Sequence, residues 1–428
     1  FRISRLTARH PGDVSSPAGR RMNTSQSTQT REIGLIILLG MMTAVSPLST
    51  DMYLPGLPQL RTDFGVDESA VQHTLSTFFI GLAVGQLLLG PLSDRYGRRL
   101  VMHIGLLIYL AGSALCLASD GIGMLVAARA LQGLGAAVGP VISRAIVRDR
   151  FHGARAARVM SFVIMVMGAA PLVAPTVGGL VVSWSGWRAI FVILTAYGLL
   201  ALALAFWRLA ETNPESRRQG IRLWSRFQAY GSVLSRPYAV GQLLTGGLAF
   251  AGLFAYLAAA PFVFMEHFGL TAGQFGLYFA ANVGGMIVVT YLNGRLVMRV
   301  GTNRLLRLGV AIFAAAGVLL AVIAGSGSPG FIGVTLLLFA SVSVIGLIAG
   351  NTVANLLDLF PDSAGAASGL FGVFQFALGA ATSAVVGKVA GDPITGIALV
   401  MAATGCGALV VQGLCAYFEP AAASVEGG

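Results

Sequence analysis

The chain has 428 residues, of which 56% are hydrophobic and 11% charged, with a mean hydropathy of +0.79 and a net charge of +11. Soluble domains carry about 25% charged residues, so this composition excludes an ordinary soluble protein and favours one built for lipid. The basic residues are scattered over loops between apolar runs and form no nucleic-acid motif, so we predict no nucleic-acid partner.

The chain opens with a polar, Arg-containing segment, residues 1–31, which has no cleavable signal-peptide pattern. We expect this segment to be cytoplasmic and treat residues 1–21 as a candidate extension, because Met22 offers a shorter start. Twelve apolar runs follow, at residues 33–54, 72–92, 100–119, 122–146, 159–182, 189–209, 238–265, 273–298, 305–324, 330–357, 364–388 and 396–418. A membrane-spanning helix needs about 20 apolar residues, so we predict twelve transmembrane helices.

A charged, glycine-containing loop after the second run is partly repeated after the eighth. Gly90, Leu92, Arg95 and Gly97 recur 204 residues later as Gly294, Leu296, Arg299 and Gly301. Parallel repeats are one known plan of secondary transporters. We therefore predict an all-α membrane protein with two pseudo-symmetric six-helix bundles, and its parts are residues 32–209, a cytoplasmic connector at 210–237, residues 238–418 and a cytoplasmic tail at 419–428.

The connector contains apolar side chains at helical spacing between basic ones. These residues are Leu223, Phe227, Tyr230 and Leu234, with Arg222 and Arg226 among them. The pattern predicts an amphipathic helix on the cytoplasmic membrane surface, and a solvated linker is the alternative.

The basic residues also predict the orientation of the chain. If the N-terminus is cytoplasmic, cytoplasmic segments hold 24 basic residues and external loops only Arg61, Arg188 and Lys388. Cytoplasmic loops carry the excess of Lys and Arg, so we expect both termini to be cytoplasmic.

Asp51 and Arg129 are charged residues inside predicted spans. A charge at the bilayer centre costs about 3 kcal/mol on insertion scales, so such residues usually face the bundle or a water-filled cavity. We predict that Asp51 in the first span carries protons or contacts substrate, with an interfacial helix-end acid as the alternative. Arg129 in the fourth span needs an acid, carbonyl groups or water, and we hypothesise that it modulates the proton affinity of Asp51, directly or through water. A structural ion pair is the alternative.

The fifth span combines residues that bend helices with residues that let helices approach closely. These are Gly168, Pro171, Pro175, Gly178 and Gly179. They predict a bendable, tightly packed element near the interface between the bundles, and plain packing is the alternative.

Several polar or aromatic side chains in the spans are candidates for a central substrate cavity, although each one singly could serve packing instead. They are Phe78, Gln132, Phe254, Tyr256, Tyr278, Asn282, Asn351 and Gln375. The sequence has no phosphate-binding loop, no nucleophile elbow and no His-Glu-x-x-His pattern, so we predict neither an enzyme nor a cofactor or metal site. Cys116, Cys406 and Cys415 are expected to be small core residues.

The loop from Gly90 to Arg99 resembles the signature between the second and third helices of the major facilitator superfamily. The segment Arg129-Ala130-Leu131-Gln132-Gly133 resembles the fourth-helix signature of that family. The segment Ala174–Gly179 resembles the fifth-helix signature of its drug–proton antiporters, with Ala174 where the common form has Gly. The segment Pro47–Pro55 is similar to the opening signature of the Bcr/CflA branch, which includes bicyclomycin and phenicol exporters.

The resemblance implies a drug–proton antiporter of the bacterial inner membrane that exports small antibiotics and is driven by the proton gradient. It also implies that Asp94 tethers its loop to the start of the eleventh helix, and that Arg98 and Arg99 help to fix that contact. The second copy has Met298, Thr302 and Asn303 at these three positions, so we expect the two loops not to be equivalent.

Other functions stay open at this point. The protein could export an endogenous amino acid, peptide or related metabolite, or it could be a receptor or scaffold with a transporter fold. We expect a monomer whose partners are a small molecule, protons and the lipid bilayer.

Overall fold

The structure, a computed structural model, describes residues 17–218, 223–327, 329–389, 392–415 and 417–418. The first half of the chain forms α1 (Pro17–Asp51), α2 (Leu57–Phe64), α3 (Glu68–Tyr96), α4 (Arg98–Leu117), α5 (Ile122–Ala136), α6 (Val138–Arg150), α7 (Gly153–Ser185) and α8 (Arg188–Arg208). The connector holds α9 (Glu215–Arg218) and α10 (Leu223–Leu234). The second half forms α11 (Pro237–Pro261), α12 (Ala272–Val300), α13 (Thr302–Gly325), α14 (Phe331–Leu359), α15 (Ala364–Val385) and α16 (Pro393–Cys415).

These helices supply 12 stretches that are long and apolar enough to cross a membrane, which confirms the predicted all-α membrane fold. Three stretches join more than one element. Counted along the chain, these are spans one, four and seven. Span one runs from Glu32 through a 3₁₀ turn and α2 to Phe64, and span four combines α5 and α6. Span seven continues α11 through a π-helical turn to His267.

The helices form two bundles with the same internal contacts. In the first bundle, α3 and α4 pack on α5, α1 packs on α7, and α4 packs on α8. In the second bundle, α12 and α13 pack on α14, α11 packs on α15, and α13 packs on α16. Between the bundles, α3 packs on α15 and α7 on α12, which are equivalent pairs under the repeat.

The repeated loop has the same backbone conformation in both halves. Gly97 has φ 99° and ψ 153°, and Gly301 has φ 88° and ψ 152°. Residues with a side chain rarely adopt such a positive φ, so glycine suits the turn between α3 and α4 and the turn between α12 and α13. The duplication is therefore one of backbone geometry as well as of sequence.

The connector helix α10 packs against protein. It contacts α3 of the first bundle and α11 and α15 of the second. Val233 is fully buried, and the Tyr230 hydroxyl donates to the Leu87 carbonyl at 3.4 Å. Burial raises the pKa of Tyr230 to about 12, so this hydroxyl stays protonated at neutral pH.

These contacts show that one side of α10 packs on the bundles, and the expectation that the connector helix lies on the membrane surface stays a prediction. Of the apolar residues used in that prediction, Tyr230 faces the bundles, whereas Leu234 is exposed. Arg222 and the side chains of Leu223 and Arg226 lie outside the described residues. Spacing alone predicts an apolar face but not what covers it, and here both bundles contact part of that face.

The cysteine prediction was correct for two of the three positions. Cys116 and Cys415 are buried, whereas Cys406 is exposed on α16. An apolar run does not distinguish the two faces of a helix whose outer face contacts lipid, so the expectation for Cys406 was wrong.

Helices α3 and α5 approach each other through glycine. A Cβ atom on Gly133 would lie 2.1 Å from the Phe78 carbonyl oxygen, and one on Gly81 would lie 2.2 Å from the Ala130 carbonyl oxygen. Small residues at such crossings allow helix backbones to come close in membranes.

We expect Gly133→Ala to destabilise the protein by about 1–3 kcal/mol, because the backbones of α3 and α5 must separate. Gly123→Ala is the matched control, since it lies in the same helix and nothing would contact its Cβ atom within 4 Å. Thermal unfolding of the purified variants in detergent, followed by circular dichroism, measures the difference. Equal melting temperatures would show that this close approach is not needed.

Candidate functional site

A cavity of about 140 Å³ lies between the two bundles, and we call it the central cavity. The first bundle contributes side chains from α1, α3 and α7, and the second contributes side chains from α11, α12, α14 and α15. Its wall is mostly apolar, with a small number of polar groups from both bundles. Such a surface suits a small organic ligand better than an ion.

Asp51 lines the central cavity and is 5% exposed. It is the last residue of α1, but the chain continues as helical turns through Phe64 within the same span. Within the described residues, nothing forms a hydrogen bond or ion pair with its carboxylate. The acid is therefore inside the protein and not at a free helix end.

Arg129 is fully buried between two aromatic rings. The centre of its guanidinium group lies 4.1 Å from the ring centroid of Phe78 and 4.5 Å from that of Tyr53. Nη1 donates to the Ser49 backbone carbonyl at 3.0 Å and to Oε1 of Gln132 at 2.6 Å. The cation thus contacts the end of α1 that carries Asp51.

The remaining nitrogens of Arg129, Nε and Nη2, are buried without a hydrogen-bond partner among the described residues. Aromatic rings, a carbonyl and an amide therefore surround this cation. In the part of the chain that the structure describes, Arg129 and Asp51 form no ion pair, so the structural ion pair considered from the sequence is absent.

The candidate cavity residues divide into two groups. Phe254, Tyr256, Asn282 and Gln375 line the central cavity. The other four lie outside its lining and have their own contacts: Phe78 and Gln132 hold Arg129, Tyr278 packs on Phe264 with ring centroids 4.3 Å apart, and Asn351 donates to Asn293 at 2.8 Å.

The sequence reasoning missed several residues that form the wall. Phe79, Phe250 and Phe376 surround the cavity with Phe254, and Met167 and Met286 are also part of the lining. Phe79 stacks on Phe254 with ring centroids 4.2 Å apart and an interplanar angle of 29°, so aromatic rings from the two bundles meet here. In a chain with 24 Phe residues, these have no distinguishing sequence signal.

The loop after α3 is a charged network at the end of the bundles where the connector lies, which we call the connector face. Arg98 is buried, and its guanidinium group bonds Asp94 at 2.6 Å and Asp149 at 2.9 Å. The carboxylate of Glu211 accepts the backbone N–H groups of Arg98 and Arg99 at 3.0 and 3.1 Å, so it caps the start of α4.

The other residues of this loop have separate contacts. Arg99 donates to the Phe206 carbonyl at 2.9 Å, and the Arg95 guanidinium lies 5.4 Å from the ring centroid of Tyr96. Gly90 and Asp94 line a second cavity of about 290 Å³ together with Gly365, at the start of α15. The two segments that the resemblance expects to be tethered therefore face the same cavity, and the tether itself stays a prediction.

The second copy of the loop lacks the counterparts of Asp94, Arg98 and Arg99, although it keeps Arg295 and Arg299. Met298 replaces the acid and is 89% exposed. Asn303, at the position of Arg99, accepts hydrogen bonds from Asn355 at 2.7 Å and from the Tyr238 hydroxyl at 3.3 Å. The two loops share a backbone and differ in chemistry, as the sequence led us to expect.

Helix α7 contacts both the first span and the second bundle through adjacent glycines. A Cβ atom on Gly178 would lie 2.2 Å from the Met52 carbonyl oxygen, and one on Gly179 would lie 2.5 Å from the Ala272 carbonyl oxygen. Pro171 and Pro175 lie inside the same helix, and Pro171 lines the central cavity. Gly168 has open space around its Cβ position.

At the end opposite the connector, which we call the opposite face, an ion pair joins the bundles. Nη1 of Arg61, on α2, lies 2.5 Å from Oε2 of Glu266, in the π-helical turn after α11. The two bundles also touch at Gly387, where a Cβ atom would lie 2.4 Å from Oε1 of Gln72. The bundles are therefore held together on this face.

Two bundles of repeated topology that enclose a cavity between them define a multi-pass membrane transporter. The chain belongs to the Major Facilitator Superfamily, whose family model matches residues 39–384. The protein is accordingly a transport protein and not an enzyme.

Two curated proteins and one solved structure give the closer context. The chain is 32% identical over 400 residues to a bicyclomycin resistance protein homolog of Haemophilus influenzae, with 93% of this chain and 97% of the relative covered. It is 32% identical over 293 residues to a chloramphenicol resistance protein of Pseudomonas aeruginosa, with 67% of this chain and 68% of the relative covered. A crystal structure of a D-xylose–proton symporter has the same fold, with a TM-score of 0.72 and 18% sequence identity. The match covers 91% of this chain and 98% of the symporter chain.

We expect Glu266→Gln to open the opposite face more often, because it removes the ion pair with Arg61. A half-exposed pair contributes about 0.2–1 kcal/mol, which corresponds to a shift of up to about fivefold in the open population. Spin labels at Thr62→Cys and His267→Cys, both exposed, report the distance across this face. The labels require a Cys406→Ser background, since the other two cysteines are buried.

The matched control for this experiment is the exchanged pair, Arg61→Glu with Glu266→Arg. It restores opposite charges at the same place and is expected to return the distance distribution to that of the parent. An unchanged distribution in Glu266→Gln alone would show that the ion pair does not hold this face closed.

Proposed function

We propose that this protein is a proton-coupled efflux transporter of the bacterial inner membrane. It exports small antibiotics of the bicyclomycin or phenicol type in exchange for protons by alternating access. The observation that carries the proposal is the buried carboxylate of Asp51. It lines the cavity shared by both bundles and forms no hydrogen bond or ion pair with any residue that the structure describes. The names of the relatives support the substrate class.

Asp51 is the group that binds and releases the coupling proton. An ionisable residue in a span that faces an internal cavity is a functional site by default. Proton and substrate use the same cavity, so occupation by one opposes occupation by the other. Arg129 holds the Ser49 carbonyl and thereby sets the position and the electrostatic environment of the α1 segment that carries the acid.

The bundles rock about the α3–α15 and α7–α12 contacts, which are related by the repeat. The glycines at 178 and 179 connect the segment after Asp51 to the second bundle, which supports a coupling role for α7. At the connector face, Asp94, Arg98 and Arg99 gate the inner end of the path, and their ion pairs and backbone caps keep the loop rigid.

We propose that the connector face is cytoplasmic, together with both chain termini. In this orientation the cytoplasmic segments hold 24 basic residues and the external loops hold three, which supports the proposal because cytoplasmic loops carry the excess of Lys and Arg. Protons then enter from the opposite face, past Arg61 and Glu266, and substrate enters from the connector face. We propose further that the protein acts as a monomer and needs no cofactor.

The proton gradient supplies enough free energy for such export. One charge that crosses 100 mV releases about 2.3 kcal/mol. Because 1.4 kcal/mol corresponds to a tenfold ratio, one proton sustains roughly a 40-fold substrate gradient before any contribution from pH. A gradient of this size is sufficient for useful antibiotic efflux.

We expect Asp51→Asn to abolish export driven by a pH gradient while the protein still reaches the membrane, because the amide cannot carry the proton. Proteoliposomes with an imposed pH gradient, loaded with bicyclomycin or chloramphenicol, measure substrate movement, and a pH-sensitive dye measures proton movement. A drop of at least about tenfold in both rates is the expected result.

Asp67→Asn is the matched control for this variant. Asp67 is exposed and accepts the Ala70 N–H group at 2.7 Å at the start of α3, a cap that Asn also provides. Full pH-driven export by Asp51→Asn would remove this acid from the mechanism. Export of neither compound by the parent protein would refute the proposed function.

A further inference from the structure

A cluster of charged side chains lies between the two bundles at the opposite face. The first bundle contributes Arg61 of α2 and Glu68, the first residue of α3. The second contributes Glu266, which pairs with Arg61, and Asp392, just before α16. Glu68 is half-buried, and the described charged groups near enough to act on its carboxylate are Glu266, Arg61 and Asp392.

An ionised Glu68 opposes closure of this face. Across the interface it meets two carboxylates, those of Glu266 and Asp392, and like charges repel. Its attraction is to Arg61, which belongs to its own bundle and already pairs with Glu266, so two acids compete for one cation. A neutral Glu68 removes both repulsions and leaves Arg61 to Glu266.

Glu68 is also tied to a direct contact between the bundles. Its Oε1 accepts a hydrogen bond from Nε2 of Gln72, one turn further along α3, at 2.6 Å. Gln72 is fully buried, and a Cβ atom on Gly387, just after α15, would lie 2.4 Å from the amide oxygen of Gln72. The carboxylate therefore holds a side chain against which the second bundle packs, so its charge acts at the interface itself.

The acid on the other side of the interface is fixed in place. Oδ2 of Asp392 accepts hydrogen bonds from the backbone N–H and the hydroxyl of Thr395, both at 2.9 Å, and so caps the start of α16. The positive end of the helix stabilises the negative charge of Asp392. Because Asp392 would lose this cap if it turned away, it cannot relieve the repulsion from Glu68 at little cost.

We propose that Glu68 is a pH sensor of the opposite face. When it binds a proton the two bundles close more tightly there, and when it releases the proton they separate more readily. The inference rests on the proposed function in one respect, the assignment of this face to the outside of the membrane. With that assignment, an acidic exterior loads Asp51 and also favours closure of the path by which the proton entered.

The distance between spin labels at Thr62→Cys and His267→Cys measures this closure without any transport. The full chain, in lipid nanodiscs, carries Cys406→Ser and also Asp51→Asn, so that the acid of the central cavity does not contribute to the pH dependence. Two like charges beside a half-buried acid favour its neutral form. Lowering the pH from about 8 to about 5 is expected to raise the ratio of closed to open molecules about two- to fivefold, as for other half-exposed charge contacts.

Glu68→Gln is expected to give the closed, low-pH distribution at every pH, because its side chain is neutral and can still accept from Gln72. Asp67→Asn is the matched control, since it removes one negative charge at the adjacent, exposed position. His73→Gln is the second control, because it removes the imidazole that lies in the next turns of α3. Both controls are expected to keep the pH response of the parent.

A variant on the other side of the interface covers the case in which Glu68→Gln fails to fold. Asp392→Asn removes one of the two repulsions, and Asn can still cap α16. It is expected to reduce the pH response by about half or more on the logarithmic scale, since one of two like-charge contacts is lost. A full response in this variant would contradict the proposed cluster.

The outcomes separate the sensor from the transport function. A parent protein whose distances do not change with pH, or a Glu68→Gln variant that responds as the parent does, would overturn the inference. Loss of the response in His73→Gln would also overturn it and would assign the response to that histidine. A pH response in a protein that exports no compound would refute the proposed function alone, and export without a pH response would refute the sensor alone.

Discussion

Inside a bilayer no water is available to hydrogen-bond a polar group, and this constraint governs the whole structure. It makes every span a helix, because only a helix satisfies its own backbone. It also makes buried side chains pair internally: Asn351 donates to Asn293, and the Ser49 hydroxyl bonds that of Tyr109 at 2.8 Å. Exceptions to the rule are therefore informative. Among the described residues, Asp51 and Asn282 line the central cavity, and Arg129 contacts the end of α1 that carries Asp51. Other buried atoms without a partner, such as Nε2 of Gln242, lie away from this cavity.

The same constraint explains how the two halves diverged while keeping one backbone. The glycine turn at 97 and 301 fixes the path of the chain in both halves, and it does so without regard to the neighbouring side chains. In the first half, the buried guanidinium group of Arg98 pairs with two carboxylates, those of Asp94 and Asp149. In the second half, Asn303 satisfies its neighbours with neutral hydrogen bonds.

The fold was predictable from the sequence because hydrocarbon thickness sets the length of apolar runs, and the repeat revealed the symmetry. The continuation of the first span to Phe64 was not predictable, because Pro55, Pro58 and then the charged Arg61 follow the apolar run that ends at residue 54. Asp51 was recognisable as a rare charge. The sequence could not separate Phe78 from its neighbour Phe79, because the rotation of α3 about its axis decides which ring meets the cavity. That rotation depends on the glycine contact with α5, which is a tertiary property.

Coupling requires that a proton at one atom affects contacts between the bundles, and the structure offers a short route. The residue after Asp51 presents its carbonyl to Gly178, and the next residue of α7, Gly179, faces the start of α12 in the other bundle. Glycine at both positions leaves no side chain between the three backbones, so a small displacement of the α1 end is transmitted and not absorbed. The acid also faces the cavity in which rings of both bundles meet. In the mechanism that we propose, a change in the charge of Asp51 acts on the interface by two paths, one through backbone contact and one through the substrate in the cavity.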